Sequence, residues 1–455
     1  PTPNTQHPTP NTQHPTPEEH WYCNRLANEA LLAMRFPRKV PVHINVPIAE
    51  PLFCFEEPEL PDERIIRRRF SQGSHPDILQ NLVKVVKEAE RPMLVVGQTH
   101  ADFIHTRGWQ EVMKRLEKHI VVLTERLCNY SMHTVHFDEV LHAVGNNELY
   151  QPDVVVSIGG TLVSKRLKKF LREGNARVYL LSEDGALTDT FMHLSEVVVC
   201  QPEEALMSLA TQMTEETNQR LPFVERWNAA LHHAELAAKT FSPAFSQMQV
   251  VKAFEESLAH ANYLYKVHYA NSTAIRLANI YAHQPVYCNR GVNGIEGSLS
   301  TAVGMAAHRE ETVFCVIGDL SFFYDQNALW NQHLHGNLRI LLLNNGQGGI
   351  FRQLKGLEKS AVCDSFVAGQ HQTTAKGICL QSHVDYQQAD ADRLEEGIKW
   401  LVEADATRPR LLEVATDAAD DAAVFKEYYQ QAKEAIITQH PSPNTQHPSP
   451  NTQHP

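Results

Sequence analysis

The sequence predicts an α/β protein of two consecutive doubly wound parallel sheets. Three observations carry this reading. Short apolar runs rich in β-branched residues recur along the chain. Helix-like segments such as SHPDILQNLVKVVKEAE separate them, as in sheets covered by helices on both faces. The alternation stops near residue 205, passes through a helical stretch at about 203–260, and then resumes.

Both ends of the 455-residue chain are low-complexity: PTPNTQHPTPNTQHPTP at the start and PSPNTQHPSPNTQHP at the finish. Such tracts lack the apolar content for a core and are expected to be disordered or polyproline-like. We hypothesise that they are translated tandem-repeat DNA, because CCAACAC read through three frames encodes PTPNTQH. Coding DNA that breaks the seven-nucleotide period would refute this in favour of a selected linker or tag. The evenly spaced tail histidines follow from the repeat and are given no role.

Between the tails, HWYCNRLANEALLAMRF (20–36) has helical spacing and KVPVHINVP reads as a strand stopped by Pro47. A Pro/Glu-rich linker follows. RPMLVVG, HIVVLTE, PDVVVSIGG, ARVYLLSE and EVVVC are the strands of a first α/β unit, within 61–240. YLYKVHYAN, TVFCVIGD, RILLLNN and PRLLEVATD are those of a second, within 241–436. Residues 1–19 and 437–455 are the tails, and 20–60 precede the first unit.

Composition narrows the function. A net charge of −12 argues against a nucleic-acid or anionic-membrane partner. No apolar run reaches the roughly 18 residues of a membrane span. Eight scattered cysteines without a CxxC pair fit a reducing compartment, so the chain reads as cytoplasmic.

The chemistry concentrates in the second unit. Asn271-Ser272, Asp319 and Asn345 all fall at predicted strand ends of one sheet, where open α/β sheets bind ligands. A carboxylate and an amide oxygen suit a hard cation such as Mg²⁺, completed by phosphate oxygens and water. Gly346-Gln347-Gly348-Gly349 can turn a backbone carbonyl inward. NRGVNGIEGSLSTAVGMAA (289–307) supplies glycines and then Ser298, Ser300 and Thr301 at a helix start, where N–H groups favour a phosphate. The bland alternative is that Asp319 and Asn345 only cap turns.

Asp319 and Asn345, in GD-x24-NN, resemble the thiamine-diphosphate signature. NRGVNGIEGSLSTAVG, GDLSFFYDQNALWN and NNGQGGIF together resemble the 2-succinyl-5-enolpyruvyl-6-hydroxy-3-cyclohexene-1-carboxylate synthases of menaquinone synthesis. The likeness covers about residues 20–436. It implies thiamine diphosphate and Mg²⁺ (or Mn²⁺) as cofactors. It implies decarboxylation of 2-oxoglutarate and addition of the resulting carbanion to isochorismate, in a dimer or tetramer.

By resemblance, Asp319, Asn345 and the Gln347 carbonyl hold the metal, although many relatives have Gly at the last position. Gly294, Ile295, Gly318, Leu320 and Ser321 contact the cofactor, with Ile295 propping its bent form. Lys165, Ser272, Arg276, Arg290, Ile350, Phe351 and Leu354 contact substrate. Alone, KRLKKF reads as a solvated basic helix face; the resemblance reverses this for Lys165 only. The family's first domain carries a glutamate that protonates the cofactor's pyrimidine ring. Only that domain's last helix and strand are expected in 20–60, so this chain alone is expected to show little synthase activity. Two rivals stand beside this reading. One is an acetolactate-synthase-like enzyme. The other is a non-catalytic Mg-diphosphate-binding fragment, or half-enzyme, needing a separate first domain.

Overall fold

The computed structural model describes residues 16–35, 41–46, 59, 62–70, 77–99, 108–128, 133–213, 221–291, 294–349, 351, 356 and 360–439. Nearly all of both repeats lies outside these residues.

Two six-stranded, all-parallel sheets form among the described residues. The first contains β1 (Arg67–Phe70), β2 (Pro92–Val96), β3 (Val121–Thr124), β4 (Val154–Ile158), β5 (Arg177–Ser182) and β6 (Leu194–Val199), in the order β1-β6-β5-β4-β2-β3. The second contains β7 (Tyr265–Tyr269), β8 (Val286–Tyr287), β9 (Thr312–Gly318), β10 (Leu338–Asn344), β11 (Asp385–Ala389) and β12 (Arg410–Ala415), in the order β11-β12-β10-β9-β7-β8. The continuous apolar runs are explained by burial on both faces: every residue of β2, β3 and β10 is buried.

All nine strands read from apolar runs in the two units are present. Three others were not foreseen. β1 reads RRRF, an edge strand whose Arg69 pairs with Glu196 on β6. β8 has only two residues, and β11 reads DYQQA with its first three residues half-buried. Edge strands need no two-sided apolar cover, so their sequences lose the signal. Conversely, the strand expected at 39–47 does not form among the described residues. Residues 41–46 pair with no other strand, and Ile44 and Val46 stay exposed. The first helix begins earlier than expected, at Pro17. Thr16 accepts from the Glu19 N–H while the Glu19 carboxylate accepts from the Thr16 N–H, a capping box that starts the helix.

The two units share apolar contacts. Leu127 and Val163 of the first pack into the core around β7, β9 and β10. The last described helix, Ala418–Gln439, places Tyr428 and Tyr429 in that core and Ile436 in the core of the first sheet. Its Tyr428 hydroxyl donates to Glu139 at 2.6 Å and its Tyr429 hydroxyl to Asp138 at 2.8 Å.

Among the described residues no helix is long and apolar enough to cross a membrane. Seven described cysteines are free.

Candidate cofactor and substrate site

The order of the second sheet positions the site. The chain leaves β7 for β8 on one side, then returns to β9 on the other. The carboxyl ends of β7 and β9 thus flank a topological switch point, where such sheets bind ligands. Register pairs Leu343 of β10 with Gly318 of β9, so Asp319 and the Asn344-Asn345 pair leave the sheet at one level.

Asp319 is buried at the first turn of helix Asp319–Tyr324. Its Oδ1 accepts the Leu320 N–H at 2.7 Å and its Oδ2 the Gln347 N–H at 3.2 Å. His371 Nε2 lies 3.3 Å from Oδ2. Burial pushes the Asp319 carboxyl above the ordinary carboxylate range, against the pull of the Leu320 amide and His371.

The two asparagines are not equivalent. Asn344 donates to Glu413 Oε1 at 2.6 Å and to the Thr373 carbonyl at 3.0 Å, and its Oδ1 accepts the Gly346 N–H at 3.0 Å. Its amide is committed at both ends. Asn345 Nδ2 donates to Asp421 Oδ2 at 2.9 Å, and its Oδ1 makes no hydrogen bond among the described residues. Gly346 turns the loop with φ +72°, its carbonyl accepting the His371 N–H at 2.7 Å. A Cβ there would lie 2.8 Å from the His371 carbonyl.

This donor set fits a hard divalent cation. One carboxylate and neutral oxygens are on offer, and no group of three or more His, Cys, Asp or Glu side chains forms a cage among the described residues. Such a cation takes its remaining ligands from phosphate and water. Open space lies over Gly318, where an added Cβ would touch nothing. The Ser298 hydroxyl, fully buried at the start of helix Ser298–Ala307, has no hydrogen-bond partner among the described residues. The same helix start also departs from expectation. Asp325 accepts the Ser300 N–H at 2.7 Å and the Ser300 hydroxyl at 2.5 Å, so a fixed carboxylate already takes one of the amides read as phosphate donors. Thr301 likewise gives its hydroxyl to the Gly297 carbonyl.

Around this centre, Asn271 donates to the Asn289 and Gly294 carbonyls at 2.7 and 2.6 Å, tying the β7 end to the glycine loop. Ser321 Oγ donates to the Ile295 carbonyl, and Ile295 and Leu320 are half-exposed rather than core. Ser272 sits at φ +74°, ψ −127°, a backbone state strained for any residue but glycine. Phe351 is half-buried, and its ring is what a Cβ on Gly348 would meet, at 2.9 Å. Ile350 and Leu354 lie outside the described residues.

A cavity of about 250 Å³ opens between the two units. Lys165 and Arg276 both line it. Lys165 begins helix Lys165–Arg172, whose Ser164 hydroxyl caps the Leu167 N–H. Arg276 lies on helix Thr273–Tyr281, which leaves the end of β7. The acids in the same wall already have partners. Asp138 accepts from Arg166, Ser164 and Tyr429, and Arg166 stacks 4.5 Å over the Tyr429 ring. Arg166 is therefore occupied, whereas Lys165 makes no ion pair among the described residues. Arg276 Nε is buried without a hydrogen-bond partner among the described residues.

Arg290 makes two contacts that the sequence does not announce. Its Nη1 donates to Asn271 Oδ1 at 2.8 Å and its Nη2 to the Leu162 carbonyl at 3.3 Å, so it fastens the β7 end to the first unit.

Sequence reasoning missed Glu125, His371, Asp138, Tyr429 and Asp421. Glu125 is almost fully buried and accepts the Val163 and Ser164 N–H groups at 2.7–2.9 Å, shaping the loop before Lys165. Burial raises its pKa to about 6, against those amides and Arg290. No local motif marks these residues; their partners are distant in sequence.

The comparisons with known proteins follow the same division. Residues 95–265 match the family described as the middle domain of thiamine pyrophosphate, and residues 270–414 the thiamine pyrophosphate enzyme C-terminal TPP binding domain. The chain is 38 % identical over 428 residues to the 2-succinyl-5-enolpyruvyl-6-hydroxy-3-cyclohexene-1-carboxylate synthase of Bacteroides fragilis, covering 91 % of this chain and 75 % of that protein. Similar relatives of the same name occur in Bacteroides thetaiotaomicron, 37 % identical over 92 % of this chain and 75 % of the relative, and in Phocaeicola vulgatus, 36 % over 91 % and 74 %. With both thiamine-diphosphate units matched and this identity sustained across them, the chain belongs to the 2-succinyl-5-enolpyruvyl-6-hydroxy-3-cyclohexene-1-carboxylate synthase family.

Proposed function

We propose that the chain binds thiamine diphosphate through Mg²⁺ or Mn²⁺ held by Asp319, Asn345 Oδ1 and the Gln347 carbonyl, and serves the decarboxylating joining of 2-oxoglutarate to isochorismate. Membership of the synthase family supports the reaction, and the C-terminal family match supports the cofactor. The cofactor, when bound, supplies the electron sink for decarboxylation. The protein's part is to orient that cofactor and to neutralise dicarboxylic substrates.

The observation that carries the substrate reading is the cavity between the units, where Lys165 and Arg276 face a space whose acids are already paired. Two cations without ion-pair partners among the described residues suit a substrate bearing carboxylates. Phe351, with Ile350 and Leu354 beside it in sequence, supplies an apolar wall, and Ser272 a hydroxyl at the β7 end. Arg290 acts through Asn271, whose amide it holds and which in turn binds the Gly294 carbonyl. Tyr324, Trp330 and Leu380 expose 67–80 % of their area on the second unit, which supports burial against another subunit in an oligomer. The free cysteines support a reducing, cytoplasmic setting.

Titration calorimetry tests the reading. Thiamine diphosphate should bind only with Mg²⁺ or Mn²⁺, and the loaded protein should bind 2-oxoglutarate in preference to pyruvate. Product formation with isochorismate is then measured for the chain alone and with a relative's pyrimidine-binding domain supplied separately. Metal-independent cofactor binding would overturn the cation assignment. A preference for pyruvate would favour the acetolactate-like reading.

A further inference from the structure

We infer that Asp421 is a positioning residue for the cation site, fixing which end of the Asn345 side chain faces the cation. The inference rests on reading Asp319 and Asn345 as cation ligands.

An asparagine amide has an oxygen end that can ligate a cation and a nitrogen end that cannot. Nothing in the residue itself decides between them, so a neighbour must. Asp421 Oδ2 accepts from Asn345 Nδ2 at 2.9 Å. Asp421 is itself held by three donors. The Thr416 hydroxyl lies 3.0 Å from the same Oδ2, and the Gln247 N–H lies 2.7 Å from Oδ1. With the Gln247 N–H on one oxygen and the Thr416 hydroxyl on the other, both Asp421 oxygens stand as acceptors, and Oδ2 faces a hydrogen of Asn345. Asn345 therefore turns its nitrogen to Asp421 and its oxygen the other way.

The neighbouring asparagine shows why this matters. Asn344 has its own carboxylate, Glu413, but its oxygen is taken by the Gly346 N–H. Among the described residues, the carboxylate at Asn345 leaves the amide oxygen uncommitted. The bland role for Asp421 is to complement the start of helix Ala418–Gln439. Asp420 and Asp417 serve that helix start equally well, Asp417 accepting the Ala419 and Asp420 N–H groups. Neither reaches Asn345.

The test uses the full chain with thiamine diphosphate and Mn²⁺, reading bound metal by electron paramagnetic resonance. Asp421→Asn keeps the shape but adds an N–H₂ that faces the Asn345 amide. Asn345 then lowers its total cost by rotating, which withdraws its oxygen. Mn²⁺ affinity should fall 10- to 100-fold, the usual cost of losing an outer-shell partner. The exchanged pair, Asn345→Asp with Asp421→Asn, restores the match: the new amide donates to one carboxylate oxygen and the other faces the cation. Its affinity should return to within a few-fold of the parent, an outcome that a purely structural role for Asp421 does not produce. The exchanged pair also tests the idea if the single variant does not fold. Unchanged Mn²⁺ affinity in folded Asp421→Asn would overturn the inference, and so would an exchanged pair that binds no Mn²⁺. A parent chain that binds no Mn²⁺ with the cofactor would remove the cation reading itself.

Discussion

Replacing Arg276 with methionine separates anion binding from folding at the inter-unit cavity. Methionine keeps most of the apolar stem and removes the guanidinium. The acids of that wall are satisfied elsewhere: Asp138 by Arg166, Ser164 and Tyr429, and Glu139 by Tyr428 at 2.6 Å. Arg276 thus has no internal ion pair to lose among the described residues, and its Nε is buried without a partner. Folding stability should hold or rise slightly. Binding should suffer, because a hydrogen bond to a charged group is worth about 1.5–3 kcal/mol. At 1.4 kcal/mol per decade, that is roughly a 10- to 150-fold weaker dissociation constant for 2-oxoglutarate. Calorimetry on protein loaded with Mg²⁺ and thiamine diphosphate gives the number. Arg166→Met is the control: it breaks the Asp138 pair and the Tyr429 stack, so it should lower melting temperature more than it lowers affinity. Folded Arg276→Met that binds 2-oxoglutarate within twofold of the parent would refute the reasoning.

Three further outcomes are expected. Ser272→Gly relieves a backbone strain of about 1–3 kcal/mol, offset by up to about 1 kcal/mol of glycine entropy, so melting temperature should rise; a fall would mean that the hydroxyl outweighs the backbone. Tyr428→Phe leaves the buried Glu139 short of a 2.6 Å donor and should destabilise by about 1.5–3 kcal/mol in urea unfolding, with no loss seen if the units were only loosely joined. Glu125, with its pKa raised from 4.5 to about 6, binds its proton more tightly folded than unfolded. Its contribution to stability is therefore full below pH 4.5 and is lost as pH rises through 6, by about 2 kcal/mol for 1.5 pH units. The stability difference between parent and Glu125→Gln should drift by that amount across this window; a flat difference would show that Glu125 does not titrate there.

The parallel sheets, and the placing of Asp319 and Asn345 at strand ends, were legible because their signals are local. β10 reads as seven buried residues in a row, and Asp319 and Asn345 follow strands directly. The edge strands were not legible, since RRRF and DYQQA carry no two-sided apolar pattern. The side chains that set the site's geometry were hidden for a different reason. Asp421 meets Asn345 across 76 residues, and Tyr429 meets Asp138 across 291. Such pairs follow from topology, and spacing does not reveal them. Arg290 shows the same limit: its sequence position says nothing of its hydrogen bonds to Asn271 and Leu162, which join the units.

Helix Ala418–Gln439 also has a consequence in time. Its Tyr428 reaches Glu139, 289 residues earlier, and its Ile436 enters the core of the first sheet. A ribosome adding about 5–20 residues per second needs roughly 15–60 s to cover that interval. Throughout it, helix Phe137–Val144 has emerged without the helix that covers it, and the cavity wall at Asp138 has no Tyr429 to close it. The first sheet can pair its strands during synthesis, but its surface near Glu139 waits for nearly the last helix. Early release, or a stalled ribosome upstream of Ala418, would therefore yield a chain with sheets formed, one apolar seam open and the inter-unit cavity incomplete.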